Sequence, residues 1–366
     1  MKTIRYAVVA QGYISQIAVL PAFAHAKKNS KLVALVSGDP VKLDELSKKY
    51  GVERCCSYEQ YDECLNSGEI DAVYIALPNN MHREYTERAA RAGIHVLCEK
   101  PMALTKEDCE AMIDAAEDNH VKLMIAYRLH FEESNLRAIE TVKSGKLGEP
   151  RIFSSDFTMQ VTDRDNIRLK KGCGGGPVYD LGIYCINAAR YLFQAEPTEV
   201  FAYCANNGKK RFAEVEEMAS AILRFPNERL ATLTCSFGAA DTATYRIIGT
   251  KGDLRMDDSY EYAKTIKQQL TLDGKMREFK FEKRDQFAPE LIYFSDCVLN
   301  DKTPEPSGRE GLADVRVIEA IHESAKIGKP VKLGKFERKT RPSIKQKIKR
   351  PPIEKPELVN ASPPSG

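Results

Sequence analysis

Between residues 4 and 127, short apolar runs alternate with amphipathic segments whose apolar positions recur every three to four residues. A parallel sheet with crossover helices has this pattern. The strands it predicts are 4–9, 32–36, 72–77, 96–98 and 122–126. Between them, Met81, Tyr85, Ala89 and Ala92 share one helix face with Gly93 as the stop, and Thr105 with Asp108 forms a capping box ahead of Cys109, Met112, Ile113 and Ala116. The prediction is an α/β, doubly wound Rossmann domain over 1–127.

After about residue 150 the period changes to two. Leu233, Cys235 and Phe237 alternate with Thr232, Thr234 and Ser236, the pattern of a half-exposed antiparallel sheet. Two later segments read as helices, one around Leu291, Phe294 and Val298 and one around Ala313, Val317, Ala320 and Ile321. A second, α+β domain with an open, mainly antiparallel sheet is expected over 128–335. From Phe336 to residue 366, prolines and like charges leave too few apolar groups to offset the entropy of ordering. That stretch reads as a flexible basic tail, dispensable for the fold and for cofactor binding.

Composition narrows the function classes. The chain's 43% hydrophobic content over 366 residues supports two cores. From Lys335 onward there are nine Lys and Arg against three Asp and Glu, which leaves 46 basic and 49 acidic residues before that point. The body therefore offers no footprint for nucleic acid. No window approaches a membrane span and the first ten residues, MKTIRYAVVA, do not read as a secretory leader, so a cytoplasmic protein with no membrane partner is expected. Ten scattered cysteines form no CxxC pair and no Cys/His cluster, so they read as thiols in a reducing compartment, with no metal site.

The first strand runs into Ala10, Gln11, Gly12, Tyr13, Ile14 and Ser15, a form of GxGxxG in which the middle glycine survives. That glycine lets the backbone approach a pyrophosphate, and the following helix start supplies N–H donors. After the second strand comes Val36-Ser37-Gly38-Asp39-Pro40-Val41-Lys42. Ser37 stands where an NAD site places a carboxylate, and Lys42 adds a cation, so the run suits the 2′-phosphate of NADP, with NAD as the alternative. Another reading gives Asp39 the acidic role and leaves Lys42 as a solvated lysine.

Residues 97–103 read LCEKPMA, with Glu99, Lys100 and Pro101 at the end of a strand. The chain resembles the glucose-fructose oxidoreductase/inositol dehydrogenase (Gfo/Idh/MocA) family at this motif. The likeness continues through Leu77, Pro78 and Asn79 with His82 three residues on, Tyr127 and Arg128, the run Gly174-Gly175-Gly176, and Asp180 to Asn187 with Tyr184 between. It spans about residues 4–334 and is nearest the NADP-linked sugar branch of aldose dehydrogenases. Ala10 departs from the family's first glycine. With no arm ahead of the first strand, the cofactor is expected to exchange freely.

The resemblance implies hydride transfer between NADP and a sugar or polyol, at the anomeric carbon of an aldose. It implies Lys100, Asp180 and Tyr184 as the catalytic set, where many relatives have histidine at the position of Tyr184. Lysine at a strand's carboxyl end can bond a substrate hydroxyl and lower the pKa of a neighbouring phenol. Asp180 and Tyr184, four apart, project from one helix face. Which of Lys100 and Tyr184 exchanges the proton stays open. The residues alone, without the resemblance, favour a capping aspartate at Asp180 and a core aromatic at Tyr184.

Arg168 is expected near cofactor and substrate or else solvated on the surface; Asn79 and His82 are expected beside the nicotinamide, Asn79 alternatively as a helix cap, and Tyr127 and Arg128 either line the cleft or simply close the sheet. Two other readings are a dihydrodiol or related carbonyl dehydrogenase on the same scaffold, and a non-catalytic NADP-binding regulator. The second domain's sheet is expected to pair copies into a homodimer or homotetramer.

Overall fold

A computed structural model describes residues 2–338 and 340–364; Met1, Lys339, Ser365 and Gly366, the last three of which belong to the predicted tail, lie outside the described residues. The chain divides into two compact units.

The first unit is built on six parallel strands. In chain order its elements are β1 (Ile4–Val9), the short helix α1 (Leu20–Ala22), β2 (Ser30–Val36), α2 (Pro40–Tyr50), β3 (Arg54–Cys56), α3 (Tyr61–Leu65), β4 (Ala72–Ile75), α4 (His82–Arg91), β5 (His95–Glu99), α5 (Lys106–Asp118) and β6 (Leu123–Ala126). The strand order is β3-β2-β1-β4-β5-β6, the arrangement of a dinucleotide-binding sheet. Residues 6–9 of β1 and all of β4 are fully buried, as expected of strands covered on both faces.

The second unit carries α6 (Glu133–Lys143), β7 (Pro150–Thr158), α7 (Ile183–Phe193), β8 (Glu199–Ala205), β9 (Met218–Phe225), β10 (Arg229–Ser236), β11 (Thr242–Gly249), β12 (Gly252–Asp257), β13 (Ile266–Leu272) and β14 (Lys275–Phe281). These strands and β15 (Val331–Lys332) form a nine-stranded sheet, antiparallel except where β7 pairs with β10. Leu233, Cys235 and Phe237 all face inward, as their alternation predicts, and Thr232 faces out.

The units differ from the division 1–127, 128–335 and 336–366 in two ways. First, Arg284–Leu312, which contains α8 (Ala288–Leu299), returns to the first unit. Leu291 and Phe294 are buried there, and the Ser295 hydroxyl lies 2.8 Å from both Tyr6 Oη and Ser30 Oγ. The long helix α9 (Gly308–Ile327) follows; an added Cβ at Gly311 would stand 2.6 Å from Met102, so its start fits closely against that side chain.

Second, the described part of the tail is docked. Arg341 pairs with Glu196 at 2.7 Å, Ser343 and Gln346 cap a short turn, and Gln346 is buried. Beyond it, Ile348–Pro363 belongs with the first unit: Arg350 Nε donates to His25 O at 3.0 Å, and the Asp285 N–H donates to Pro351 O at 3.2 Å. Composition misjudged this stretch because prolines reduce the freedom lost on ordering, and the docking uses polar contacts rather than apolar burial.

Arg341 joins a polar chain that fixes α7. Arg190, fully buried, bonds Glu196 and Asp314; Asp314 accepts from Asn187 at 2.8 Å, and Asn187 Oδ1 lies 2.8 Å from His130 Nε2. Breaking a buried ion pair costs far more than a surface one, because it leaves the other charge desolvated. Asp314→Ala should therefore destabilise the protein by roughly 3 kcal/mol or more. Thermal unfolding checks this, and an unchanged melting temperature would refute it.

Candidate active site

The sequence-predicted residues gather first at the carboxyl edge of the parallel sheet. Past β1, Ala10 adopts φ 74° and its N–H bonds Val36 O at 2.9 Å. The chain thus makes the left-handed turn without the family's first glycine, at a position where a Cβ carries some strain. Ser15 Oγ donates back to Ala10 O at 2.7 Å, and a π-helical turn, Ser15–Val19, follows. Tyr13 and Ile14 are half-buried on this turn. Nothing lies within 4 Å of where a Cβ on Gly12 would stand. That open backbone, ahead of a helix start, fits a pyrophosphate.

Past β2, Ser37 is buried and its Oγ accepts from the Asp39 N–H at 3.1 Å. Asp39 does not stand free as a ribose acceptor. Its Oδ1 caps α2 by accepting from Val41 N and Lys42 N, and Oδ2 accepts from Asn360 Nδ2 at 3.0 Å. The Asn360 bond and the α2 amides hold its carboxyl below the usual range. With Asp39 so engaged, Ser37, Lys42 and the start of α2 present donors and positive charge, a combination that fits a 2′-phosphate.

Past β4, Leu77 is buried, and Pro78 and Asn79 are half-buried ahead of α4. His82 is fully buried, with Nε2 2.9 Å from Leu77 O and Nδ1 2.9 Å from Pro101 O. Burial pushes its imidazole pKa below the ordinary value. His82 therefore ties the turn after β4 to the Lys100-Pro101 turn rather than lining a cofactor surface. Glu99 Oε1 accepts from Tyr74 Oη at 2.8 Å and Oε2 from the Lys100 N–H at 3.2 Å, so the family motif's glutamate fixes the backbone at the lysine. The Lys100–Pro101 peptide is cis.

Tyr127 and Arg128 are both buried past β6, and Arg128 donates to Gln286 Oε1. Arg128 supplies positive charge to two carboxyls, Glu99 and Glu290. The sequence reading missed Glu290, an acid within the apolar face of α8. It is fully buried and neither carboxyl oxygen has a hydrogen-bond partner among the described residues; burial and then the negative charge of Glu99 push its pKa far up. The only sequence signal was a glutamate preceding Leu291 and Phe294 at a position that should be apolar.

In the second unit, Arg168 Nε donates to Asp180 Oδ2 at 2.6 Å. Burial disfavours the Arg168 charge, but Asp180 more than offsets this and raises its pKa. Arg168 is thus an anchored partner of Asp180 and not a solvated surface arginine. The glycine run makes the contact possible: the Gly175 and Gly176 N–H groups bond Lys170 O at 3.0 Å and Arg168 O at 2.9 Å, folding the chain over residues 168–170. Asp180 lies on a π-helical turn, Val178–Gly182, and Tyr184 on α7 just after it, so the two share a continuous helical path with a change of pitch. The Tyr184 ring packs edge-on against Phe157 at 5.4 Å and lies tilted against Tyr260 at 5.7 Å.

Among the described residues no group of three or more His, Cys, Asp or Glu could hold a metal, and no helix is long and apolar enough to cross a membrane. The glycine geometry gives a matched test. A Cβ on Gly175 would stand 2.4 Å from Arg168 O, whereas one on Gly172 meets nothing within 4 Å. Gly175→Ala should cost roughly 1–3 kcal/mol, the scale of overpacking, while Gly172→Ala should cost little. Equal melting temperatures for the two variants would contradict this account of the turn.

Comparison with known proteins agrees with this geometry. Residues 4–127 match the oxidoreductase family with NAD-binding Rossmann fold, and residues 135–255 match the GFO/IDH/MocA C-terminal domain. The chain is 33% identical to D-xylose 1-dehydrogenase [NADP(+)] of Haloarcula marismortui over 337 residues, 90% of this chain and 93% of that one. It superposes with a TM-score of 0.87 on aldose-aldose oxidoreductase from Caulobacter crescentus complexed with glycerol, at 38% identity over 91% of this chain and 100% of that chain. A 3-ketoreductase from Actinomadura kijaniata in complex with NADP and TDP-benzene gives a TM-score of 0.81 at 26% identity, covering 88% and 98%. The chain belongs to the GFO/IDH/MocA family of oxidoreductases.

Proposed function

We propose that this protein is an NADP-dependent aldose dehydrogenase that oxidises the anomeric carbon of a cyclic sugar to a lactone. The observation that carries the reading is full-length similarity to two enzymes named for aldoses, one of them a D-xylose dehydrogenase using NADP. D-xylose is the first substrate to try. The end of β2 supports NADP over NAD, since it carries Ser37 and Lys42 while its one carboxylate, Asp39, is engaged as the cap of α2.

NADP+, held by the turn at Gly12 and by Ser37 and Lys42, would supply the acceptor for the hydride of the anomeric C–H. The chain's own residues must then receive the hydroxyl proton and stabilise the charge that develops on oxygen. In this proposal the Lys100 ammonium bonds the reacting hydroxyl and stabilises the alkoxide that develops there, and Tyr184 is the group that takes the hydroxyl proton. Asp180, anchored by Arg168, accepts a hydrogen bond from a neighbouring sugar hydroxyl.

We further propose that the protein works in the reducing cytoplasm, where its ten free cysteines, seven of them buried, remain thiols. It pairs as a homodimer or homotetramer through the open face of the second sheet. There Ile152 and Leu230 sit side by side, Ile222 neighbours Phe201, and Tyr203 stands 66% exposed, an apolar surface that a monomer leaves wet.

Lys100→Met should lower turnover by about a hundredfold or more while NADP binding is largely kept, the scale of losing one charged donor or acid-base group. Tyr184→Phe keeps the ring and tests the proton step alone. Steady-state kinetics on the best aldose, alongside nucleotide titration, decides it; unchanged turnover in Lys100→Met removes the lysine from the mechanism. Ser37→Asp should shift the kcat/KM preference toward NAD, and a native enzyme already favouring NAD would overturn the reading of the β2 end.

A further inference from the structure

The docked tail ends on the nucleotide-binding edge. Lys49 Nζ, on α2, donates to Glu357 O at 3.0 Å. Two residues on, the side-chain amide of Gln16 bonds the backbone of Val359 in both directions: Nε2 donates to Val359 O at 2.8 Å, and the Val359 N–H donates to Oε1 at 2.7 Å. The same Nε2 lies 3.0 Å from Gln11 O, so one buried glutamine holds both the phosphate turn and the tail. Asn360 then reaches Asp39 at 3.0 Å from φ 45°, a left-handed conformation that asparagine tolerates better than most residues.

These contacts join the two strand-to-helix turns that a dinucleotide fold uses for pyrophosphate and adenosine ribose. Composition makes the tail dispensable, and the lack of an arm ahead of the first strand makes the nucleotide freely exchanging; the hydrogen bonds at Gln16 and Asp39 argue against both. We propose that residues 357–360 are a clasp across the adenosine end of the site, which keeps bound NADP from leaving between turnovers.

The proposal rests on the NADP reading. The tail spans from Gln16 to Asp39, so a nucleotide seated on both turns leaves only after those bonds open. Because Asp39 is the cap of α2 and the partner of Asn360 at once, the clasp also holds that carboxylate on the α2 amides and away from Ser37. Gln16 is therefore a positioning residue for the nucleotide, acting through the phosphate turn and the tail.

The test uses the full chain, loaded with NADPH and desalted, then chased with excess NADP+ while NADPH fluorescence reports release. The comparison is Val359→Pro combined with Asn360→Ala, which deletes the N–H that Gln16 accepts and the amide that reaches Asp39, far from Lys100 and Tyr184 in sequence. Release should speed up roughly tenfold or more, the effect of losing two net hydrogen bonds. An unchanged release rate, with both proteins binding NADPH, would overturn the clasp. So would a variant that binds NADPH faster at the same release rate, since the tail would then be a competitor for the site. If the unmodified chain fails to bind NADPH at all, the nucleotide reading falls, and the clasp with it.

Discussion

Parallel register is the constraint on which the first unit depends. Val9 pairs with Val36 and with Ile75, Ile75 with Cys98, and Glu99 with Ala126. Parallel pairing brings successive strand ends to one edge, so Ala10, Ser37, Ala76, Lys100 and Tyr127 all emerge together although they span more than a hundred residues of chain. The edge then acquires its chemistry locally: an open backbone at Gly12, a cap at Asp39, a glutamate that fixes the lysine's backbone at position 99. A slip of register in any one pair would displace one of these groups by a residue's length.

The second unit solves a different problem, which is to fix a carboxylate and a phenol on one short helical path. The glycine run lets the chain fold onto its own carbonyls at 168 and 170, and this delivers Arg168 to Asp180. Aromatic packing from Phe157 and Tyr260 orients Tyr184 without spending its hydroxyl on the ring contacts. Behind them, the buried chain from His130 through Asn187, Asp314 and Arg190 to Glu196 fixes α7, and Arg341 of the C-terminal segment closes it. The same segment thus supports the helix that carries Tyr184 and, further on, bonds Gln16 in the turn after β1.

Much of this was legible in the sequence because it follows from period and spacing. The five longer strands of the first sheet and the inward positions of Leu233 and Cys235 in β10 read correctly from residue pattern. β3 was not legible, since three residues carry too little periodicity. The return of α8 was missed because apolar spacing marks a helix face and not its partner, which here is Tyr6 and Ser30 nearly three hundred residues earlier. His82 read as a nicotinamide neighbour, yet its two ring contacts are backbone carbonyls that no side-chain motif reveals. The π-helical pitch at Ser15 and at Val178 leaves no signature in residue type either. The tail is the instructive failure: composition weighs apolar content, while its docking rests on main-chain groups of Pro351 and Val359 and on charged or amide side chains, Arg341, Arg350 and Asn360.

The central claim is that a hydride passes from the anomeric carbon of an aldose to NADP+. Incubation of the enzyme with D-xylose or another reactive aldose carrying deuterium at C1, followed by mass spectrometry of the nucleotide, measures that transfer directly. The account predicts one deuterium in the NADPH formed and the matching lactone or aldonic acid as product. Reduced nucleotide without deuterium, or product oxidised at another carbon with the C1 label still on the sugar, would contradict it.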